Sequence, residues 1–336
     1  MRMPQRFALI GGGFIGQVHA ANLAAHPGCE LALVCDIDAS RAEALARAHG
    51  AQAVSVAQAL ESDAIDAVLI ASATPTHAEL LARAVRAGKA VYCEKPIDLS
   101  LARARDVVAT LSPVSVPVTV GFNRRFDHSH QALKAQVKQG AVGMLELIQM
   151  VCRASELPPL SYLQASGGQM RDQAIHFFDL LRWLTDDEVV TVGAMGAALA
   201  MPAIREFDVD TSVLIMRMQQ GALAQLDNAR RTAYGYDERI SIMGSSGMVA
   251  SESQAVRGVT RYQNGSITQP GLWPDWFSRV KSTYYAHLDA FVRHLNGEQV
   301  GDLPTLHDGL RAQAIAEAAQ LSLTRGEFIE VAEVER

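Results

Sequence analysis

Through the first third of the chain, short apolar runs alternate with amphipathic stretches, and the two periods predict different elements. Residues 7–10 form an apolar run suited to a strand buried on both faces, as do residues 31–35, 66–71, 90–93 and 116–120. Residues 15–25, 39–49, 76–87 and 99–111 carry helical spacing between them. Strands alternating with helices through this stretch predict a doubly wound parallel sheet, with functional loops at the carboxyl ends of the strands. From Gly143 the alternation stops. Long β-like runs at residues 144–152, 189–197, 209–218, 222–228 and 239–243 follow without the same alternation with helices, which predicts a large open antiparallel sheet, with Leu214, Met216 and Met218 on one face. Residues 276–295 and 306–323 read as helices that pack back against the body. A broad sheet covered on one side leaves a face that is polar or used for association, so a homo-oligomer is expected.

Residues 170–184, after the pair Gly167-Gly168, read as one further helix. At 100° per residue Asp172, His176, Asp179 and Trp183 share a narrow arc, with Phe177, Phe178, Leu180, Leu181 and Leu184 opposite. Asp172 and His176 stand about 6 Å apart along the axis, the layout of a general base with its orienting acid. An ordinary amphipathic helix with a polar outer face fits the same pattern.

The run at residues 7–10 feeds into Gly11-Gly12-Gly13-Phe14-Ile15-Gly16, a GxGxxG match placed between a strand and a helix. Asp36 ends the second strand, 20 residues beyond Gly16. Glycines there let backbone approach a pyrophosphate at a helix N-terminus, and the acid accepts hydrogen bonds from ribose hydroxyls while repelling a 2′-phosphate. The pattern predicts a Rossmann domain that binds NAD rather than NADP, with no Arg or Lys between Asp36 and Arg41. Gly-rich turns also close strand–helix units that bind no nucleotide. Two more segments lie at strand ends: Ser72 to His77, in which Thr74 or Thr76 can cap the next helix, and Glu94-Lys95-Pro96. Lys95 either emerges into the nicotinamide crevice or pairs with Glu94 at the sheet edge. His77 suits a surface, cofactor-adjacent or catalytic place.

At 336 residues the chain suits two domains, placed at 1–122 and 123–336. A net charge of −6 and the lack of a basic stripe argue against nucleic acid. The four cysteines are scattered without a CxxC pair, which suggests neither a disulfide framework nor a cysteine metal site and suits a reducing compartment. Residues 1–17 lack the apolar core of a signal peptide, and no stretch approaches the roughly 18 apolar residues of a membrane span, so a cytoplasmic protein without membrane partners is expected.

The ordered set GGGFIG, ASATPTHAEL, AGKAVYCEKPID, GFNRRFD, SGGQMRDQAIHFFDLLRWL and YGYDERI resembles the Gfo/Idh/MocA oxidoreductase family and, within it, the inositol dehydrogenase branch. The resemblance runs from Phe7 to about Gly297 and implies a dinucleotide-binding domain followed by a large open sheet that serves oligomerisation, commonly as a tetramer. It implies that Lys95, Asp172 and His176 form the catalytic group. It also implies NAD contacts from Gly11, Gly13, Phe14, Ile15, Gly16, Asp36, Ile37, Ser72, Thr74, His77, Glu94 and Lys95. Substrate contacts are implied for Lys95, Arg125, Asp172, His176 and Tyr236. One departure stands out: the family's usual Arg-Asp-Pro reads Arg153-Ala154-Ser155 here, so an acid expected to bind ring hydroxyls is missing unless Ser155 or Glu156 substitutes. The expected activity is NAD-dependent oxidation of a secondary ring hydroxyl of a cyclitol to a ketone. The alternatives are an aldose or other sugar dehydrogenase, a non-catalytic NAD-binding regulator, and NAD-dependent glycoside hydrolysis.

Overall fold

The structure, a computed structural model, describes residues 3–111, 113, 116–301 and 303–334. The chain divides into two compact units, Met1–Phe126 with Thr283–Arg311, and Asp127–Ser282 with Ala312–Arg336. The first unit thus takes in residues 283–311, beyond the single break after residue 122 expected from sequence. The reason is packing: Leu288, Phe291 and Val292 lie in the same buried cluster as Phe7, Leu9 and Leu23.

In the first unit the order is β1 (Gln5–Ile10), α1 (Phe14–Ala25), β2 (Cys29–Cys35), α2 (Ala39–His49), β3 (Gln52–Ala53), α3 (Val56–Glu61), β4 (Ala67–Ile70), α4 (His77–Arg86), β5 (Ala90–Cys93), α5 (Leu101–Thr110) and β6 (Val118–Val120). These strands form a six-stranded sheet, β3-β2-β1-β4-β5-β6, parallel throughout. β4 and β5 are buried at every residue, which is why they read as unbroken apolar runs. Five of the six strands are those placed from sequence. The sixth, β3, has two residues, too few for a hydrophobic period, and the helix after it starts at a Ser55–Gln58 capping box that the apolar pattern does not reveal. Strand order reverses direction between β1 and β4, so the loops after these strands flank the switch point where ligands bind in such sheets.

The second unit begins with α6 (His128–Lys138), capped by Asp127, and continues through β7 (Leu145–Arg153), α7 (Leu160–Ala165), a π-helical turn at Met170–Ala174, α8 (Ile175–Thr185), β8 (Val189–Ala197), β9 (Thr211–Met218), β10 (Leu223–Ala229), β11 (Asp237–Gly244) and β12 (Gly247–Ser251). A two-stranded ribbon, β13 (Arg261–Gln263) with β14 (Ser266–Thr268), precedes α9 (Trp276–Leu295) and α10 (Leu306–Arg325), and β15 (Ile329–Glu330) with α11 (Val331–Val334) ends the described chain. The sheet runs β12-β11-β7-β10-β9-β8-β15. It is antiparallel except where β10 lies parallel to β7, a mixed pairing that the sequence pattern did not indicate. Burial alternates along β9, with Ser212, Leu214, Met216 and Met218 inside and Val213, Ile215 and Arg217 outside. Among the described residues no helix is long and apolar enough to cross a membrane.

Candidate functional site

The loop between β1 and α1 has the shape of a dinucleotide cradle. Gly11 has φ +104°, and a Cβ there would lie 2.5 Å from the Ala71 carbonyl oxygen and the Ser72 nitrogen, so only glycine fits. A Cβ on Gly13 would meet nothing within 4 Å, so the backbone at the start of α1 is open to a ligand. Gly13 caps α1 without a side-chain hydrogen bond, leaving the helix N-terminus suited to a pyrophosphate. The Asp36 carboxylate is fixed before any ligand arrives: it accepts from the Gly12 N–H at 2.6 Å and the Asp38 N–H at 2.8 Å. Arg41 stands 3.5 Å from the same carboxylate with its side chain half exposed. Ile37 is fully exposed and Phe14 more than half exposed, apolar groups beside the cradle with area to bury against a cofactor. This donor set and open backbone fit NAD.

Other expected cofactor contacts have different places. Ser72 Oγ and Thr76 Oγ1 share a hydrogen bond of 2.7 Å, Thr74 opens a 3₁₀ turn, and neither Thr74 nor Thr76 caps α4 with its side chain. His77 is buried, its ring nitrogens 2.8 Å from the Pro96 carbonyl and 3.0 Å from the Ser72 carbonyl, so it ties two loops together. Glu94 is also buried. Its Oε1 lies 2.8 Å from His19 Nε2 and its Oε2 accepts the Lys95 N–H at 3.3 Å, while a Cβ on Gly121 would come within 2.5 Å of Oε2. Glu94 therefore pairs with a histidine of α1 and braces the loop that carries the partly buried Lys95. Beneath it, the Tyr92 hydroxyl meets His287 Nδ1 at 2.8 Å, and His287 Nε2 meets Thr119 Oγ1 at 3.0 Å. Thr119 spends its proton on the Pro304 carbonyl, so His287 must donate from Nε2 and accept from Tyr92. A neutral ring is what this requires, and burial holds the His287 pKa well below its ordinary value. Arg125 is buried with Nη2 3.1 Å from Asp308. Burial would raise the Asp308 carboxyl, but the Arg125 charge and Thr305 hydrogen bonds outweigh it and hold its pKa at about 2.

In the second unit, Gly167 and Gly168 adopt φ +83° and +88°, and the chain then enters the π-helical turn that carries Asp172. Such turns often mark functional sites because the extra residue reorients side chains. This one is pinned at both ends. Gln169 donates its backbone N–H to Asp208 at 2.8 Å and its side-chain Nε2 to the Asp210 carbonyl at 3.0 Å, and its side-chain Oε1 accepts from the Ser212 hydroxyl at 2.8 Å. Gln173 donates to the Ala229 carbonyl at 3.0 Å. Between them the Asp172 carboxylate accepts from the Tyr162 hydroxyl at 2.8 Å and from Arg230 Nη1 at 2.9 Å. Arg230 is buried and lies 3.6 Å from Asp208, whose carboxyl burial pushes up.

The ionisable arc drawn from helical spacing needs correction. Every residue of α8 is buried except His176, which is partly exposed, and Asp179 and Trp183 lie inside with the aromatic and aliphatic residues. At one end of the arc Lys134 of α6 donates to the Trp183 carbonyl and stands 5.9 Å from the Trp183 ring centre. What remains of the arc at the surface is Asp172 and His176. Tyr236 lies buried and donates to Glu238 at 2.7 Å. Ala154 follows β7 and donates its N–H at 2.8 Å to the same Ala229 carbonyl that Gln173 uses, while Glu156 is exposed. Sequence reasoning missed Tyr162 and Arg230. Nothing in local spacing pairs either with Asp172.

Residues 5–122 match the family described as the GFO_IDH_MocA oxidoreductase family with an NAD-binding Rossmann fold, and residues 130–250 match the GFO/IDH/MocA C-terminal domain. The chain is 38% identical over 333 residues to an inositol 2-dehydrogenase of Rhizobium meliloti, covering 98% of this chain and 100% of the relative. It superposes with a TM-score of 0.90 on the crystal structure of a myo-inositol dehydrogenase from Corynebacterium glutamicum, at 35% identity over 98% of this chain and 99% of that one. A scyllo-inositol dehydrogenase from Lactobacillus casei, solved with bound NAD(H) and scyllo-inositol, superposes with a TM-score of 0.88 at 26% identity, over 98% and 99% of the two chains. With both domains matched along the chain and the glycine cradle and Asp36 in place for the dinucleotide, this protein belongs to the Gfo/Idh/MocA family and is an NAD-dependent oxidoreductase.

Proposed function

We propose that the protein oxidises a secondary ring hydroxyl of a cyclitol to a ketone. The observation that carries this reading is the presentation of His176: it is the partly exposed side chain of an otherwise buried helix, four residues after a carboxylate held in place from two sides. His176 takes the hydroxyl proton as general base, and Asp172 orients and supports the imidazolium that forms. Arg230 and Tyr162 fix the Asp172 carboxylate, so its charge need not reorganise during the reaction. Lys95 hydrogen-bonds the reacting oxygen as negative charge develops on it. NAD, when bound, accepts the hydride. Gly11, Gly13, Gly16 and Asp36 hold the dinucleotide, with Phe14, Ile15, Ile37, Ser72 and Thr74 around it. His77 and Glu94 act by bracing the loops that border it. Arg125 and Tyr236 are buried and already bonded to acids, which favours positioning roles over direct substrate contact.

Relatives named as inositol 2-dehydrogenases and as a scyllo-inositol dehydrogenase support a cyclitol substrate. Ala154 favours a second reading, an aldose or other sugar dehydrogenase, because the side chain there offers no hydrogen bond to a ring hydroxyl. Following NADH absorbance across a panel of inositols, aldoses and sugar acids decides between them. We assign the protein to the cytoplasm as a homotetramer. Burial pushes the Cys35 thiol up to about 11, as suits an inert thiol in a reducing compartment. The outer face of the second sheet exposes Met195, Val213, Ile215, Leu223, Met243 and Met248, apolar area suited to a second copy.

A further inference from the structure

The geometry points to Tyr162 as a residue with two duties toward the substrate: its hydroxyl positions Asp172, and its ring forms a platform for the apolar face of the cyclitol. This rests on the function proposed above. Tyr162 lies in α7, a six-residue helix of which Leu163 alone is buried. Leu163 packs in a small cluster with Ala198 and Ile204, with Met201 against it, so Leu163 and the Tyr162 hydroxyl both tie the helix to the second unit. Relative exposure of Tyr162 is 48%, so its ring stays open to solvent while its hydroxyl is bonded to Asp172. The hydroxyl lies 2.8 Å from Asp172 Oδ1, which places the ring beside the one acid that precedes His176 by a helical turn and leaves much of the residue open to solvent.

Arg230 approaches the other Asp172 oxygen from the buried side, so the two partners constrain the carboxylate in different ways. Arg230 supplies countercharge from within. Tyr162 fixes the outer oxygen, and only it has surface left to meet a ligand. A cyclitol ring is polar at its rim and has C–H groups on its faces, and an aromatic ring offers a flat apolar surface on which those faces lose water. The hydroxyl bond to Asp172 also limits rotation of the ring, so the platform is set before substrate arrives.

Two substitutions separate the duties. Tyr162→Phe keeps the ring and removes the hydrogen bond to the carboxylate; Tyr162→Leu removes both ring and bond. In the holoenzyme with saturating NAD, Tyr162→Phe is expected to lower kcat by about tenfold to a hundredfold, the usual worth of a hydrogen bond to a charged group, with KM for the cyclitol within about twofold of wild type. Tyr162→Leu is expected to lower kcat similarly and to raise that KM by about tenfold, as lost apolar contact would. A role confined to fastening α7 predicts no such split between kcat and KM. Unchanged kcat in Tyr162→Phe, or equal KM values for the Phe and Leu variants, overturns the inference. The isosteric Phe variant at a half-exposed position keeps the test decisive even if the Leu variant loses its fold. Failure of the wild type to oxidise any cyclitol would instead overturn the functional reading itself.

Discussion

Replacing Asp36 with Ala should collapse the preference for NAD over NADP, and the structure gives the size of the effect. The carboxylate is held by the Gly12 and Asp38 amides at 2.6 and 2.8 Å, so it is in position to accept from ribose hydroxyls without rearrangement. Hydrogen bonds to a charged acceptor are worth about 1.5 to 3 kcal/mol, so NAD should lose roughly tenfold to a hundredfold in kcat/KM. The same carboxylate repels a 2′-phosphate; at about 4 Å and an effective dielectric of about 20 the repulsion is of order 4 kcal/mol per charge pair before screening. Removing it also releases Arg41, now 3.5 Å from Asp36, to pair with that phosphate. The two changes together should lower the ratio of kcat/KM for NAD to that for NADP by roughly 10² to 10⁴. Initial rates with each cofactor at saturating polyol measure it. Asp36→Ala/Arg41→Ala should lose most of the gain with NADP while NAD stays as in the single variant. Wild-type protein that prefers NADP, or a ratio unchanged in Asp36→Ala, would refute the reasoning.

Further expectations follow from Ala154 and Asp308. Ala154→Asp should raise kcat/KM for myo-inositol relative to the native substrate by about 10- to 100-fold, the worth of a charge-assisted hydrogen bond to a ring hydroxyl; myo-inositol as the best wild-type substrate, with Glu156→Gln abolishing the activity, would show that the substitution is compensated. The Asp308 carboxyl, held at about 2 in the fold, contributes stability above the ordinary carboxylate pKa near 4 and loses it as pH falls toward 2. Asp308→Asn should therefore cost about 2 kcal/mol at pH 7 in urea unfolding and little at pH 2; a cost that does not vary with pH would contradict this.

The parts of this fold legible in the sequence were those whose signal is local. Strands such as β4 and β5 are buried on both faces, so their composition alone marks them, and Gly11, Gly13, Gly16 and Asp36 carry the cradle in their spacing. The two-residue β3 and the parallel pairing of β10 with β7 depend on neighbours distant in sequence. The same limit applied to the candidate site. Helical spacing put Asp172 and His176 on one face but could not reveal the π-helical turn between Gly168 and Ile175, nor that Asp179 and Trp183 are buried, with Lys134 of α6 against Trp183. Arg230 and Tyr162 reach Asp172 only through the sheet and through α7. Glu94 and His77, which end up bracing loops, sit at strand and helix ends where sequence cannot tell a ligand contact from a buried support.

We propose His176 as the base in an NAD-dependent oxidation of a ring hydroxyl, and one comparison tests that role. The direct measurement compares wild-type protein with His176→Ala, following NADH absorbance with cyclitol and NAD while NAD affinity is measured separately by fluorescence. Net NADH is expected from wild type and a rate lower by roughly 10²- to 10⁴-fold in the variant, with NAD affinity nearly unchanged. Absence of net NADH from any cyclitol or sugar, or a variant that keeps more than about a tenth of the activity where chemistry limits, would contradict it.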